Sequence, residues 1–219
     1  MSRPSPLLPA AEPRRWKRRK VARPAEILDA ALDIFAERGF AAARVEDIAA
    51  RAGVSKGTVY LYFDTKEEMF RALVRENIIA NIANVEVTFE SYKGSARALI
   101  ELAMARLVDI VANSRLIPLP KLIIAESGNF PSLAEFYRRE VIDRAMELLS
   151  RVVALGKAQG EFRDLPVAHV VRLIIAPILL SAIWRASFAR FDAEPFDYAA
   201  FIKTHTDVLF AGLAPHPGD

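Results

Sequence analysis

Residues 45–66 read VEDIAARAGVSKGTVYLYFDTK, and the stretch has the layout of a helix-turn-helix. Ile48 and Ala49 fall inside a short first helix, and Gly53 supplies the turn, where a positive φ costs least for a residue without Cβ. Val54 and Val59 face back onto that helix. Ser55 is positioned to cap the second helix by offering its hydroxyl to backbone N–H groups that lack a helical partner. Lys56, Gly57, Thr58, Tyr60 and Tyr62 are then left near one short, exposed helix. A cation, a bare backbone, a hydroxyl and two phenols suit a helix that enters a DNA major groove and grips the flanking phosphates.

Hydrophobic spacing alone fits an ordinary helical hairpin with aromatic core residues equally well. The order of residues is more specific than the spacing. ILDAALDIFAERGF at 27–40, followed by VEDIAARAGVSKGTVYLYFDTKEEMF at 45–70, resembles the DNA-binding head of the TetR family of bacterial repressors (TetR/AcrR-like). The resemblance runs from Ala25 to the neighbourhood of Leu73. It implies an all-α chain of about nine helices, with an N-terminal three-helix helix-turn-helix head and a C-terminal helical ligand-binding and dimerisation domain. It also implies a homodimer, a double-stranded DNA operator of palindromic form and a small-molecule effector. Lys66, at the positive end of a helix, matches the family lysine that binds a DNA phosphate. At Arg44 the chain departs from the family, which usually has Thr or Ser there. Arg44 is either a charge-assisted phosphate ligand or a plain exposed arginine at a frayed helix start.

Charge is distributed unevenly. The net charge is +3, yet residues 1–23 hold eight basic side chains against Glu12, a balance of +7. The remaining chain carries 22 basic and 26 acidic residues, a balance of −4. Next to a helix-turn-helix, a basic arm has a polyanion as its natural target, with Arg18, Arg19 and Lys20 as candidate contacts; the alternative is a solvated tail. Cysteine is absent, which excludes a disulfide framework and thiolate metal sites. No run of about eighteen apolar residues is evident, so no membrane partner is expected, and the prolines around Leu7 and Leu8 do not fit a secretory signal. The expected location is cytoplasmic.

Organisation follows the helix punctuation. Residues 1–23 read as a disordered basic arm. Pro24 opens the first helix, Ile27, Ala31, Ile34 and Phe35 form its apolar face, and Gly39 ends it. The head therefore spans 24–70. Thr65 and Glu68 form a capping box for a fourth helix reaching the neighbourhood of Glu90. The second domain spans 71–214 and 215–219 form a disordered tail. Within it, Ser132 with Glu135 reads as another capping box and Asp164 as a further cap. The apolar stretch from Leu173 to Trp184 reads as a helix buried on most sides, kinked at Pro177. Surplus apolar surface on the last two helices points to a homodimer interface.

Candidate ligand contacts are Met104, Leu107, Glu126, Phe136, Tyr137, Pro177 and Trp184, each of which could equally be core or, for Glu126, bound to an arginine or to backbone amides. His169, His205 and His216 have no partners at ligand spacing, so no metal or cofactor is expected; His205 reads as a satisfied interface residue. No nucleophile–base set and no glycine-rich phosphate loop points to an enzyme. The expected function is transcription regulation, most simply repression relieved by a mainly apolar molecule. The alternative is a co-regulator or activator without an inducer.

Overall fold

The computed structural model describes residues 14–215, with the backbone alone described at 14–23, 108 and 110–113. Eleven α-helices follow in order: α1 (Arg14–Ala42), α2 (Val45–Arg51), α3 (Lys56–Tyr60), α4 (Lys66–Val74), α5 (Ala80–Ser91), α6 (Ala96–Asn113), α7 (Pro118–Glu126), α8 (Pro131–Tyr137), α9 (Arg144–Ala158), α10 (Val167–Ser187) and α11 (Tyr198–Leu213). Two π-helical turns, Arg75–Ile79 and Arg138–Asp143, join α4 to α5 and α8 to α9, so the described residues form nine rods. The two π-turns pack against each other. The all-α expectation holds.

The head is built on α1. Ile27, Ala31, Ile34 and Phe35 are buried as their spacing predicts, against Ile48, Ala49, Val59, Met69, Phe70 and Leu73. At Gly39 the backbone turns to φ 77°, ψ 165°, which breaks the helical ladder and swings Phe40 back under the core. Phe40 then sits 5.2 Å from Phe35 and 5.9 Å from Phe70, ring centre to ring centre. The same apolar cluster continues into Leu119, Leu122, Ile123, Leu133, Phe136 and Tyr137 of α7 and α8. A second cluster joins α6, α9, α10 and α11 around Ile100, Met104, Val153, Ile174 and Phe210. An ion pair of Arg144 with Glu86, 2.7 Å long, ties α9 to α5.

Several local expectations are corrected. Helix α1 begins at Arg14, ahead of Pro24, so the 14–23 segment of the basic arm is helical; residues 1–13 and 216–219 lie outside the described residues. Ser132 does not cap α8, which starts at Pro131 after an uncapped Phe130, because proline at the first position shifts the helix start ahead of the serine. Asp164 does not cap α10 either; it pairs with Lys157. That ion pair and its hydrogen bond hold the Asp164 carboxyl below the usual range. Caps that local reading missed are Asp197, whose side chain accepts from the Ala200 N–H at 2.9 Å, and Ser95, whose Oγ accepts from the Ala98 N–H at 3.0 Å.

Helix α10 also differs from expectation. It is long and apolar enough to cross a membrane by length and composition, yet only 33% of that stretch is buried in one chain. It is therefore not buried on most sides: Leu173, Leu180 and Trp184 point outward, as does Val208 on α11. The helix continues through Pro177, whose carbonyl accepts from Ser181 Oγ at 2.8 Å. His205 is not fully satisfied, since its Nε2 is buried without a partner. Burial holds its pKa below the ordinary imidazole value, partly offset by a hydrogen bond to the Leu173 backbone.

The corrected caps make a direct prediction. Asp197→Ala removes a formed N-cap and lowers unfolding stability by about 1 kcal/mol, whereas Ser132→Ala changes it by less than about 0.5 kcal/mol. Urea unfolding at one fixed protein concentration reads both; an equal loss in the two variants refutes the assignment of the caps.

Candidate nucleic-acid interface

Seven residues of α2 and five of α3 make a small platform. Arg44 precedes α2 in an extended conformation with no side-chain cap, and its carbonyl accepts from the Asp47 and Ile48 N–H groups. Glu46 and Asp47 in the first turn complement the positive end of the helix. Gly53 takes φ 66° in the turn, with open space around a hypothetical Cβ, so the backbone angle alone favours glycine there. Ser55 caps α3 as its chemistry predicts: Oγ accepts from the Thr58 N–H at 3.1 Å and lies 2.9 Å from Thr58 Oγ1. Val59 is fully buried and is the one buried residue of α3, so the rest of that helix is turned outward.

Lys56, Gly57 and Tyr60 are exposed, and Thr58 and Tyr62 are half-buried. Tyr62 packs partly against the head core. Leu61, at the end of α3, is 80% exposed and was not singled out from sequence; an apolar residue two positions past a buried valine carries no local signal that distinguishes it from core. Lys56 pairs with Glu46 and lies 5.7 Å from the Tyr60 ring centre. The hydrogen bond between them raises the Lys56 pKa and lowers that of Glu46. Both partners are solvent-exposed, so the pair is weak and readily exchanged for another anion. Arg51, by contrast, grips Glu37 through both guanidinium nitrogens, at 2.9 and 2.8 Å, and fixes α2 to α1. Arg44 is exposed and has no ion-pair partner among the described residues. The side chains of Arg18, Arg19 and Lys20 lie outside the described residues.

Lys66 is engaged differently from the sequence expectation. Its Nζ donates to the carbonyls of Phe40 at 2.8 Å, Ala41 at 2.9 Å and Ala43 at 3.4 Å, and lies 4.8 Å from the centre of the Phe40 ring. All three ammonium protons are thus directed at the broken end of α1. Glu126, which the sequence left either as a ligand contact or as bound to an arginine or to backbone amides, takes the backbone-amide role at the same corner. Its Oε1 accepts from the Ala41 N–H at 3.1 Å, and its Oε2 accepts from Asn129 Nδ2 at 3.1 Å. Phe130 completes the joint, edge-on to Phe40 at 4.8 Å.

The other ligand candidates do not converge. Phe136 and Tyr137 are buried in the cluster continuous with the head, with Arg71 4.9 Å and Arg75 5.3 Å above the Phe136 ring. Burial pushes the Tyr137 phenol up to about 12. Met104 and Leu107 belong to the rear cluster. Pro177 is half-buried within α10. Trp184 is exposed, donates from Nε1 to Asp192 Oδ2 at 3.0 Å, and borders a cleft of about 330 Å³ between α10 and α11. Seven residues chosen for apolar or orienting character therefore occupy five places, because apolarity marks core and pocket wall alike.

Comparison with known proteins agrees with this geometry. The sequence model described as "Bacterial regulatory proteins, tetR family" matches residues 27–73. The HTH-type transcriptional repressor KstR2 of Rhodococcus jostii (strain RHA1) is 32% identical over 216 residues, covering 90% of this chain and 94% of the relative. The fatty acid metabolism regulator protein of Bacillus subtilis (strain 168) is 25% identical over 139 residues, covering 64% and 70%. Among solved structures, the transcriptional regulator FadR from Bacillus subtilis in complex with stearoyl-CoA superposes with a TM-score of 0.72 at 23% identity, covering 86% of this chain and 98% of that one.

The Lys66 geometry separates two kinds of variant. Lys66→Met leaves three carbonyls without their donor and lowers thermal stability by about 1–2 kcal/mol. Tyr60→Phe, which loses only an exposed hydroxyl, stays within about 0.5 kcal/mol of the parent. Calorimetry of the two purified variants checks this, and a Lys66→Met protein as stable as the parent refutes the capping geometry.

Proposed function

The chain belongs to the TetR family of bacterial regulatory proteins, and on that premise we propose that it is a repressor, acting in the cytoplasm as a homodimer, released from a palindromic operator by a mainly apolar small molecule. As a member of that family it is a DNA-binding transcriptional regulator and not an enzyme. The observation that carries the proposal is α3: its start is capped by Ser55, it is anchored through Val59 alone, and it turns Lys56, Gly57 and Tyr60 to solvent. In this reading Lys56 exchanges Glu46 for a phosphate, Arg44 adds a second, Thr58, Tyr60 and Tyr62 contact the groove or its edges, and Arg18, Arg19 and Lys20 extend the contact along the duplex.

The outward apolar face of α10 and α11, with Leu173 and Val208, supports pairing with a second copy, which buries a surface of the right character. Two recognition helices then meet successive major grooves about 34–36 Å apart. The division at 70/71 is one of role, since the apolar cluster crosses it. Release follows if the effector favours a state in which α7 has moved: Glu126 and Phe130 carry that movement to the end of α1, and a differential affinity of a few kcal/mol is enough to shift the population. Residues 71–219 hold equal numbers of basic and acidic side chains, 17 of each, so no strong field selects a highly charged effector. FadR in complex with stearoyl-CoA suggests a long acyl chain as the apolar part, so the first probe is such a chain on a small uncharged head, with stearoyl-CoA, whose CoA group is strongly anionic, as the charged contrast.

Selection of bound duplexes from a random pool tests this reading. The expected product is an inverted repeat with half-sites one helical turn, or a low multiple of it, apart. Tyr60→Ala weakens binding to that sequence by about 1–2 kcal/mol without lowering the melting temperature. Addition of the uncharged long-chain probe releases the DNA, and release by stearoyl-CoA alone would count against a mainly apolar effector. Enrichment without any shared sequence overturns the operator assignment, and DNA binding indifferent to every apolar probe favours the co-regulator or activator without an inducer.

Deleting residues 1–20 removes seven basic groups and one acid. Operator affinity then falls and loses part of its salt dependence. Unchanged affinity at low salt would identify the arm as a solvated tail.

A further inference from the structure

We propose that the cleft between the C-terminal end of α10 and the N-terminal end of α11 binds a lipophilic organic cation. The cleft is separate from the joint and from the buried candidates for the effector cavity, and the proposal does not rest on the repressor reading. Its volume, about 330 Å³, suits a compact molecule rather than a long chain. Trp184, Phe196 and Tyr198 form aromatic walls, Leu180 an aliphatic one, and Asp192 and Glu194 bring carboxylates to the same space. Aromatic faces carry negative potential and attract ammonium groups, and two carboxylates add to the same sign. No basic side chain lines the cleft among the described residues. Arg185 is close enough for its charge to act on the Tyr198 phenol, where it opposes Asp192, and it has a further interaction of its own.

The walls are held in place before any ligand arrives. Trp184 is fixed by donation from Nε1 to Asp192 Oδ2, and the Phe196 ring stands edge-on to Tyr198 with centres 5.1 Å apart. Phe196 also rests 5.5 Å from Phe201. The Tyr198 hydroxyl is buried without a hydrogen-bond partner, so the polar character of the cleft rests on the Asp192 and Glu194 carboxylates. Phe196 remains 51% exposed and Trp184 43%, so a ring face is available to an entering group.

The cleft and the apolar seam proposed for pairing lie at opposite ends of the two helices. Leu173 is bonded to His205 at one end, while Trp184 and Tyr198 stand at the other. The eleven residues from Leu173 to Trp184 correspond to about 16 Å of helix, and the ten from Tyr198 to Val208 to about 15 Å. A second copy can therefore cover Leu173 and Val208 while the aromatic end stays open, with Leu180 at the boundary.

Trp184 is itself the reporter. In a full-length Trp16→Phe variant, which leaves Trp184 as the one tryptophan, benzyltrimethylammonium is titrated against neopentylbenzene, its uncharged isostere, and phenylmethanesulfonate, its anionic counterpart. The expected result is saturable quenching by the ammonium compound, with the isostere and the anion each weaker by about fivefold or more. Glu194→Gln should weaken the cation by about fivefold while leaving the isostere unchanged. Phe196→Ala should weaken the cation and the isostere together. Equal binding of cation and isostere, or a cation affinity indifferent to Glu194→Gln, overturns the proposal. Quenching that appears only when the protein is diluted to monomer also overturns it, because the second copy then fills the cleft.

Discussion

The broken end of α1 has to be held from two sides. Gly39 stops the helical ladder, and residues 40–43 then run beside the head core with carbonyls and an N–H that α1 cannot satisfy. Lys66 supplies donors to three of those carbonyls, and Glu126 accepts the Ala41 N–H. The Phe40 and Ala43 carbonyls are part-buried, where an unmet polar group costs up to about 1–3 kcal/mol, against about 0–1 kcal/mol for an exposed ion pair. Lys66 is therefore the main clamp on the corner, and Glu126 adds a bond to the exposed Ala41 N–H. Since the corner leads directly into Arg44 and α2, it also sets where α3 stands.

This arrangement gives the two halves of the molecule a physical connection. Lys66 begins α4, and Glu126 ends α7. Phe130, just beyond, packs edge-on against Phe40, so that apolar packing and hydrogen bonding converge on the same few residues. Behind the joint, the two π-turns interrupt the two long rods where they meet, a placement in which helices often adapt their packing. The head itself has little freedom of its own. Arg51 on Glu37 and Arg38 on Asp47 lock α2 to α1, and Val59 pins α3.

What could be read from the sequence was what local pattern encodes. Gly53, Ser55 and Val59 lie within seven residues, and each has one physical reason to be there, so the helix-turn-helix could be read without its surroundings. The periodic face of α1 was legible for the same reason. The caps at Ser132 and Asp164 misled because a neighbour decided them: Pro131 starts its helix early, and Lys157 takes the aspartate. The joint was not legible at all in these terms. Glu126 and Ala41 are 85 residues apart, and nothing in either segment announces the other. A pocket wall was equally hard to read locally, because Met104, Phe136 and Trp184 are all apolar yet lie in three different environments.

The most direct measurement pairs amide hydrogen exchange at Ala41 with operator affinity in the parent and in Glu126→Ala. If Glu126 holds the corner and the corner positions α3, the substitution speeds exchange at Ala41 and weakens operator binding while the rear helices keep their protection. Faster exchange at Ala41 with unchanged operator affinity would contradict that role, and unchanged exchange would contradict the hydrogen bond itself.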